Sequence, residues 1–344
     1  METVLQISWY LGIDVSKGSL VAHLGSSSKS ERRTFVNDSK GIQELLSWLG
    51  DRGAVCKVVM EATSRYHRLC ERALLKAGIR VDLLNPRRAR GLAIGLGIAD
   101  KNDTVDAKVL SRAAQMIEEA QIKVHTLQAQ DLKDHSRSID SIKESAATFI
   151  RQMEGLDPDS KAYLAYLEAT KALKKLAAKQ EKEWAQTVKE DAEMLRRYTL
   201  AKSVPDVGHV TARIASVELP ADLNERTLRQ ICGYAGLAPR SNQSGNKDLP
   251  PHIFGGNEHL RTGLFMSAMH AVYHGKRYLP FYEALKARSI SPARTKGAPH
   301  LIAIVAVMHK ILRNIVAVIK RNSPWTQEAP EFKNAKNAVQ AETA

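Results

Sequence analysis

An alternation of short apolar runs with amphipathic segments in the first part of the chain most constrains how this sequence folds. Residues 9–13 form an apolar run, residues 20–24 form its hairpin partner, and residues 33–36 form a third strand-like run. A helix is predicted to begin at Ser39 and to end at Gly50, because its apolar residues share one face.

Single helices alternate with strands in the rest of this segment. Residues 56–60 form a strand that leads into Glu61, a helix is predicted from about Ser64 to Ala77, and residues 81–84 form the next strand. Three strands followed by alternating helices and strands predict an α/β mixed sheet with helices packed on it.

The middle of the chain has a helical pattern instead. Positions spaced alternately by three and four form a heptad seam with one polar member. The seam comprises Leu132, His135, Ile139, Ile142, Ala146, Phe149 and Met153. A second, polar helix is predicted from about Ser160 to Tyr198. The two helices are predicted to form either a long helical hairpin or arms that pair between protomers. An ordinary helical linker domain is the alternative.

The last part, residues 201–325, is predicted to be mainly helical with one loop rich in Gly, Pro and Asn. Residues 301–318 are strongly apolar but contain three basic or imidazole side chains, which favours a buried amphipathic helix over a membrane span. Residues 326–344 are polar and rich in Ala, and a disordered tail is expected there.

Charge and cysteine content bear on partners and compartment. Lys and Arg number 51 against 37 Asp and Glu, which gives a formal net charge of +14. Such an excess favours a polyanionic partner, although a merely soluble basic protein is an equal alternative. The three cysteines have no metal-type spacing, so a disulfide framework and a zinc ribbon are not indicated. No signal peptide is recognised, and a cytoplasmic protein without a membrane partner is expected.

Four carboxylates occupy positions that suit metal chemistry. Asp14 ends the first strand, Glu61 ends the strand before the second helix, and Asp103 and Asp106 share one face of a predicted helix. Carboxylate oxygens suit Mg²⁺, and two such ions stabilise both the attacking and the leaving oxygen of a phosphodiester. Each acid, taken singly, is more commonly a turn residue or a helix cap.

The combination resembles the DEDD transposases of insertion sequences, a family that includes the Piv DNA invertases and the bridge-RNA-guided recombinases. The matching stretches occur in family order over nearly the whole chain. They are Gly12-Ile13-Asp14-Val15-Ser16-Lys17, Glu61-Ala62-Thr63, Asn85-Pro86, Lys101-Asn102-Asp103-Thr104-Val105-Asp106-Ala107, Val204-Pro205-Asp206-Val207-Gly208, Ala235-Gly236-Leu237-Ala238-Pro239, Ser244-Gly245 and Gly256-Asn257-Glu258-His259-Leu260-Arg261.

The resemblance implies a RuvC-like (RNase H-type) catalytic domain over residues 1–125, a coiled-coil helical hairpin over 126–200 and a C-terminal transposase domain over 201–325. It also implies that Asp14, Glu61, Asp103 and Asp106 bind Mg²⁺ at a two-metal site. The implied partners are DNA, a bridge guide RNA and further copies of the chain in a dimer or tetramer.

The resemblance further assigns a nucleophile. In the family, a Ser in the loop after Gly-Leu-x-Pro is the proposed attacking group. Ser244 matches that position, and Ser241 is the weaker candidate. A solvated turn is the alternative. Basic residues are expected to contact nucleic acid, namely Arg87, Arg88, Arg90, Arg240, Lys247 and Arg261.

The expected function is therefore a transposase or site-specific recombinase that cuts and rejoins DNA. A site-specific invertase without an RNA guide, a RuvC-type junction resolvase and a non-catalytic nucleic-acid-binding protein are the alternatives. Two departures from the family pattern are Ser64 and Asp206, each of which stands where the family usually has Gly.

Overall fold

A computed structural model of the chain describes residues 9–61, 66–98, 103–116, 127–244, 247–275, 277–288 and 299–326. The chain divides into two compact units, Met1–Leu127 and Gln128–Ala344. The expected disordered tail and the loop residues 245 and 246 lie outside the described residues, apart from residue 326.

The first unit contains a five-stranded mixed sheet in the order β3-β2-β1-β4-β5. β1 pairs with β2 and β2 with β3 in antiparallel fashion, whereas β1 pairs with β4 and β4 with β5 in parallel. The strands are β1 Trp9–Val15, β2 Ser19–Gly25, β3 Ser30–Val36, β4 Cys56–Glu61 and β5 Arg80–Leu84. The predicted mixed sheet is confirmed, and it is consistent with the RuvC-like fold that the resemblance implies.

Alternate residues of each strand point to opposite faces of the sheet, and helices cover both faces. The helices are α1 Ser39–Leu49, α2 Arg68–Lys76, α3 Pro86–Gly95 and α4 Asp103–Met116. α1 and α2 pack on the face that carries Leu11 and Ile13, and α3 and α4 pack on the face that carries Val59. The prediction that α2 begins near Ser64 was wrong for the described residues, since it begins at Arg68.

The second unit begins with two long helices, α5 Leu127–Met153 and α6 Lys161–Thr187. They contact each other through side chains: the indole N–H of Trp184 donates to the carbonyl of Leu132 at 3.1 Å, and the rings of Phe149 and Tyr166 pack 5.5 Å apart. Ile139 of the predicted seam is fully buried in the cluster that also contains Trp184. Leu132 and Ile139 of the seam are therefore packed within the chain, and the coiled coil and the pairing between protomers stay predictions.

The second helix does not continue to Tyr198, so that prediction was wrong. A short 3-10 turn covers Val188–Glu190, and a new helix, α7 Ala192–Ser203, begins after it. The carboxylate of Asp191 accepts a hydrogen bond from the backbone N–H of Met194 at 2.9 Å, which caps the new helix.

The remaining helices form the core of the second unit. They are α8 His209–Glu218, α9 Leu228–Tyr234, α10 Glu258–Tyr273, α11 Leu279–Arg288 and α12 Pro299–Arg321. Among the described residues, α12 alone is long and apolar enough to cross a membrane by length and composition, and 56% of its apolar window is buried inside the protein. Its buried residues form part of the main core of this unit, which supports the prediction of a core helix.

The predicted Gly/Pro/Asn-rich loop is a two-stranded hairpin. β6 Arg240–Ser244 pairs in antiparallel fashion with β7 Lys247–His252, and the ladder is irregular between Arg240 and Asn242. The description of this segment as a loop was therefore incomplete.

Candidate active site

Two of the four predicted metal ligands lie near the carboxyl ends of neighbouring parallel strands. Ile13 of β1 lies opposite Met60 of β4, so the residues that follow them, Asp14 and Glu61, lie side by side. Glu61 is the last residue of β4, and Asp14 is the last but one of β1. Both carboxylates are half-buried and each interacts with other groups in the protein. By strand alternation both belong to the face of the sheet that carries Val59, where α3 and α4 pack.

The third carboxylate is brought to this edge by the way α4 crosses β1. A Cβ atom placed on Gly12 would lie 2.1 Å from the carbonyl oxygen of Ala107 and 2.2 Å from the backbone nitrogen of Ser111. Only glycine therefore allows this approach. The hydroxyl of Ser111 donates to the carbonyl of Tyr10 at 2.8 Å.

These contacts also fix the direction of α4. Ala107 lies over Gly12 and Ser111 bonds to Tyr10, so the helix runs back along β1 and its first turn lies toward Asp14. Asp106, which is half-buried, belongs to that first turn, and Asp103 begins the helix. The side chain of Asp103 lies outside the described residues.

The donors at this edge are carboxylate oxygens, the ligands that hard divalent cations prefer. In the part of the chain that the structure describes, no group of three or more His, Cys, Asp or Glu side chains is close enough together to hold a metal ion. The structure thus brings Asp14 and Glu61 to one edge and directs the first turn of α4 there. Among the described side chains, it does not present a closed set of ligands.

The predicted nucleophile lies on the hairpin of the second unit. Ser244 is the last residue of β6 and is paired with Lys247, the first residue of β7, so it borders the turn. Ser241 lies between Arg240 and Asn242, where the ladder is irregular. The side chains of residues 240–251 lie outside the described residues.

Two glycine turns hold the base of this hairpin together. Gly236 and Gly256 have positive φ angles of 72° and 70°. A Cβ atom on Gly236 would lie 2.2 Å from the carbonyl oxygen of Gly255, and one on Gly256 would lie 2.3 Å from the backbone nitrogen of Gly236. The backbone N–H of Asn257 donates to the carbonyl of Tyr234 at 2.8 Å. Two motifs that are distant in sequence therefore meet at the hairpin base.

Arg261 belongs to the same base. Its guanidinium donates to the carbonyl of Gly255. Its expected contact with nucleic acid stays a prediction. Among the other predicted basic contacts, Arg88 and Arg90 are exposed on α3, and the side chain of Arg87 lies outside the described residues.

Sequence reasoning missed a buried carboxylate that contacts the hairpin base. Glu218 of α8 is 1% exposed, and its oxygens accept hydrogen bonds from the Arg137 guanidinium at 2.6 and 3.0 Å and from the Asn257 amide at 2.7 Å. Nζ of Lys133 lies 3.4 Å from Oε2 of Glu218. Burial alone would raise the pKa of Glu218, but the hydrogen bond from Arg137 and the positive charges of Lys133 and Arg137 outweigh it and lower the pKa to about 2.

A second residue that the sequence analysis did not single out is His309 of α12. Its Nε2 lies 2.8 Å from the carbonyl oxygen of Leu237, and its Nδ1 lies 3.4 Å from Sγ of Cys232. Leu237 precedes the hairpin, so α12 also contacts the segment that leads into β6.

The turn with Asp206 explains one departure from the family pattern. Asp206 has a φ angle of 64°, in the left-handed region that favours glycine. The backbone conformation at this position is therefore one that a glycine adopts freely and that Asp tolerates better than most residues.

Comparison with known proteins connects both regions to one family. Residues 11–156 match a family described as DEDD transposase of the IS110 type, and residues 198–283 match the transposase IS116/IS110/IS902 family. Together the two matches cover more than half of the chain. The chain belongs to this transposase family.

The carboxylates of the first unit fall within the first match, and the hairpin with Ser244 falls within the second. The transposase is also similar to the pilin gene-inverting proteins of Moraxella bovis and Moraxella lacunata. Each is 26% identical to it over 335 residues, which is 94% of this chain and 99% of the relative. The protein is thus a DNA recombinase enzyme, as the sequence predicted.

Proposed function

We propose that this transposase cuts and rejoins DNA with divalent metal ions held by Asp14, Glu61, Asp103 and Asp106, and with Ser244 as the nucleophile. The observation that carries the proposal is the parallel pairing of β1 with β4, which brings Asp14 and Glu61 side by side near the carboxyl ends of the two strands. The close approach of α4 at Gly12 supports the assignment of the two aspartates on that helix.

The proposed metal is Mg²⁺, as a two-ion site. Bound ions there would stabilise the charge that develops on the scissile phosphate and on the oxygens entering and leaving it. The four proposed carboxylates would supply the negatively charged oxygen ligands. The sheet and α4 hold the residues that carry them.

Ser244 performs the attack in this proposal. Its Oγ forms a bond to phosphorus as the hydroxyl loses its proton, and one bridging P–O bond of the DNA breaks, so that the freed DNA hydroxyl takes up a proton. Rejoining is the reverse: a hydroxyl of another DNA end attacks the phosphoserine and releases Ser244. Covalent storage of the phosphodiester means that rejoining needs no external energy source.

The proposed partners follow from the resemblance and the charge. The net charge of +14 supports nucleic acid as a partner. A bridge guide RNA and a dimer or tetramer are proposed on the family resemblance, since strand exchange needs several active sites held together.

Site-specific inversion without an RNA guide is a second candidate. The relatives that match over nearly the whole chain carry the name of gene-inverting proteins, which favours this candidate. Recombination of a plasmid carrying two inverted sites, assayed with purified protein alone, separates the two. Inversion without added RNA supports the invertase, whereas recombination only with a transcript from the flanking DNA supports the guided transposase.

The metal assignment is tested with Asp14→Asn against Asp51→Asn, a carboxylate of the same unit that lies outside the proposed site. Binding of Mn²⁺ by electron paramagnetic resonance gives a readout that does not depend on activity. We expect Asp14→Asn to lose tight Mn²⁺ binding and to cleave DNA about 100-fold or more slowly, because a metal ligand contributes several kcal/mol to the transition state. Unchanged Mn²⁺ binding and cleavage in Asp14→Asn would refute the assignment.

A further inference from the structure

Four basic side chains lie together on the α4 face of the sheet in the first unit. They are His23 on β2, Arg32 on β3, and Lys108 and Arg112 on α4. We refer to these four residues as the basic cluster. They are not among the basic residues that the sequence motifs singled out.

The strand pairing places the first two members next to each other. His23 lies directly opposite Arg32 in the antiparallel pair of β2 and β3. On its other side, His23 lies opposite Gly12 of β1, the residue that α4 crosses. The strand pairing therefore places His23 between Arg32 and the point where α4 crosses β1.

The crossing of α4 places the other two members beside them. Ala107 and Ser111 touch Gly12, and Lys108 and Arg112 are the residues that directly follow these two. A Cβ atom built on Gly25 would lie 3.4 Å from the hydroxyl of Ser111 and 3.8 Å from Cε1 of His23, so α4 and the imidazole border the same point of β2.

The electrostatics of the imidazole agree with this placement. Burial lowers the pKa of His23 first, and the positive charges of Lys108, Arg32 and Arg112 lower it further. Arg32, Lys108 and Arg112 are exposed to solvent, and His23 is half-buried. Like charges gathered at one surface repel one another, and an anion that binds among them relieves the repulsion.

We propose that the basic cluster binds the phosphate backbone of duplex DNA next to the carboxylate edge. Lys108 and Arg112 are four residues apart on one helix, so their Cβ atoms are about 5–6 Å apart and both charges face the same strip of surface. Cations beside the carboxylate edge would hold the flanking phosphates while the scissile one is processed. We identify the partner of the basic cluster as DNA because the chain belongs to a transposase family. The position of the cluster beside the reacting phosphate rests on the function proposed above.

The test compares two double variants of the full-length protein that lose the same charge. Lys108→Gln with Arg112→Gln changes the basic cluster. Lys40→Gln with Lys76→Gln is the matched control, because these exposed residues lie on α1 and α2, which pack on the opposite face of the sheet. Fluorescence anisotropy with a labelled duplex of about 30 base pairs, titrated over a range of salt concentrations, gives the affinity and its salt dependence.

We expect the cluster variant to bind the duplex about tenfold or more weakly at low salt, with a log–log salt slope reduced by nearly 2, as for two lost phosphate contacts. The control should change affinity and slope much less. Equal effects of the two variants would overturn the proposal, and so would a loss confined to an RNA probe of the same length. Asp14→Asn should keep the parent's DNA affinity, so a failure of the metal assignment is distinguished from a failure of this surface.

Discussion

At the scale of single residues, Glu218 connects elements of the second unit that no sequence motif linked. It links α5, through Lys133 and Arg137, to Asn257 at the hairpin base. Its partners lie 81 and 39 positions away in sequence for Arg137 and Asn257, so no local pattern could have revealed the cluster. A charge buried this deeply is stable only while its partners remain.

The lowered pKa of Glu218 predicts an acid-sensitive contribution to stability. Because the pKa is about 2 in the folded protein against 4.5 ordinarily, the contribution is present above pH 4.5 and is lost as the pH falls toward 2. It amounts to roughly 3 kcal/mol, at 1.36 kcal/mol per pKa unit. In urea unfolding, Glu218→Gln should be destabilised at pH 7, and its difference from the parent should shrink between pH 5 and pH 3.

Glu144 provides the matched control for that experiment. Its carboxylate pairs with Arg151 at 2.8 Å, but the side chain is 70% exposed. Glu144→Gln should change stability by less than about 1 kcal/mol at any pH, as exposed ion pairs generally do. An equal and pH-independent loss in both variants would contradict the account of Glu218.

At the scale of secondary-structure elements, the contact between β1 and α4 directs the first turn of α4 toward Asp14, as the proposed metal site requires. Gly12→Ala places a methyl group into the backbone of α4 at Ala107 and Ser111. We expect a loss of about 3 kcal/mol or more in the free energy of unfolding, as for overpacking against groups that cannot yield, and a loss of Mn²⁺ binding.

Gly18 offers a control of the same chemistry. A Cβ atom at Gly18 would meet no atom within 4 Å, and its backbone does not adopt a positive φ angle. Gly18→Ala should leave stability and Mn²⁺ binding close to those of the parent, as thermal unfolding and electron paramagnetic resonance would show. Full stability of Gly12→Ala would mean that α4 does not approach β1 as described.

The elements that the sequence predicted well are those with strong apolar periodicity. The strands of the first unit and the end of β4 at Glu61 followed from short apolar runs, although β1 extends one residue beyond the predicted end at Asp14. α1 followed from its apolar face. The break at residues 188–190 was missed because helix-forming residues run through it and only Asp191 signals a new start. The hairpin of β6 and β7 was missed because Ser, Asn, Gln and Pro give no alternating pattern.

At the scale of the whole molecule, the two compact units carry different parts of the proposed chemistry. The first contains the carboxylate edge and the basic cluster, and the second contains the serine hairpin with its braced base. Both parts match the same transposase family, and the relatives match across almost their full length. The roles of the individual residues could be predicted only through the ordered set of motifs, because each acid and each serine has a common structural explanation alone.

The covalent intermediate is the most direct test of the central claim that Ser244 and the carboxylate edge act in one reaction. A nicked or suicide DNA substrate would be incubated with the protein, the adduct digested with protease, and the DNA-linked peptide identified by mass spectrometry. We predict a phosphodiester link at Ser244 that is absent in Ser244→Ala and in Asp14→Asn and is retained in Ser241→Ala, while DNA binding stays nearly unchanged in all three. A link at Ser241, or DNA cleavage by Ser244→Ala without any adduct, would contradict the account and favour, respectively, a different serine or attack by water.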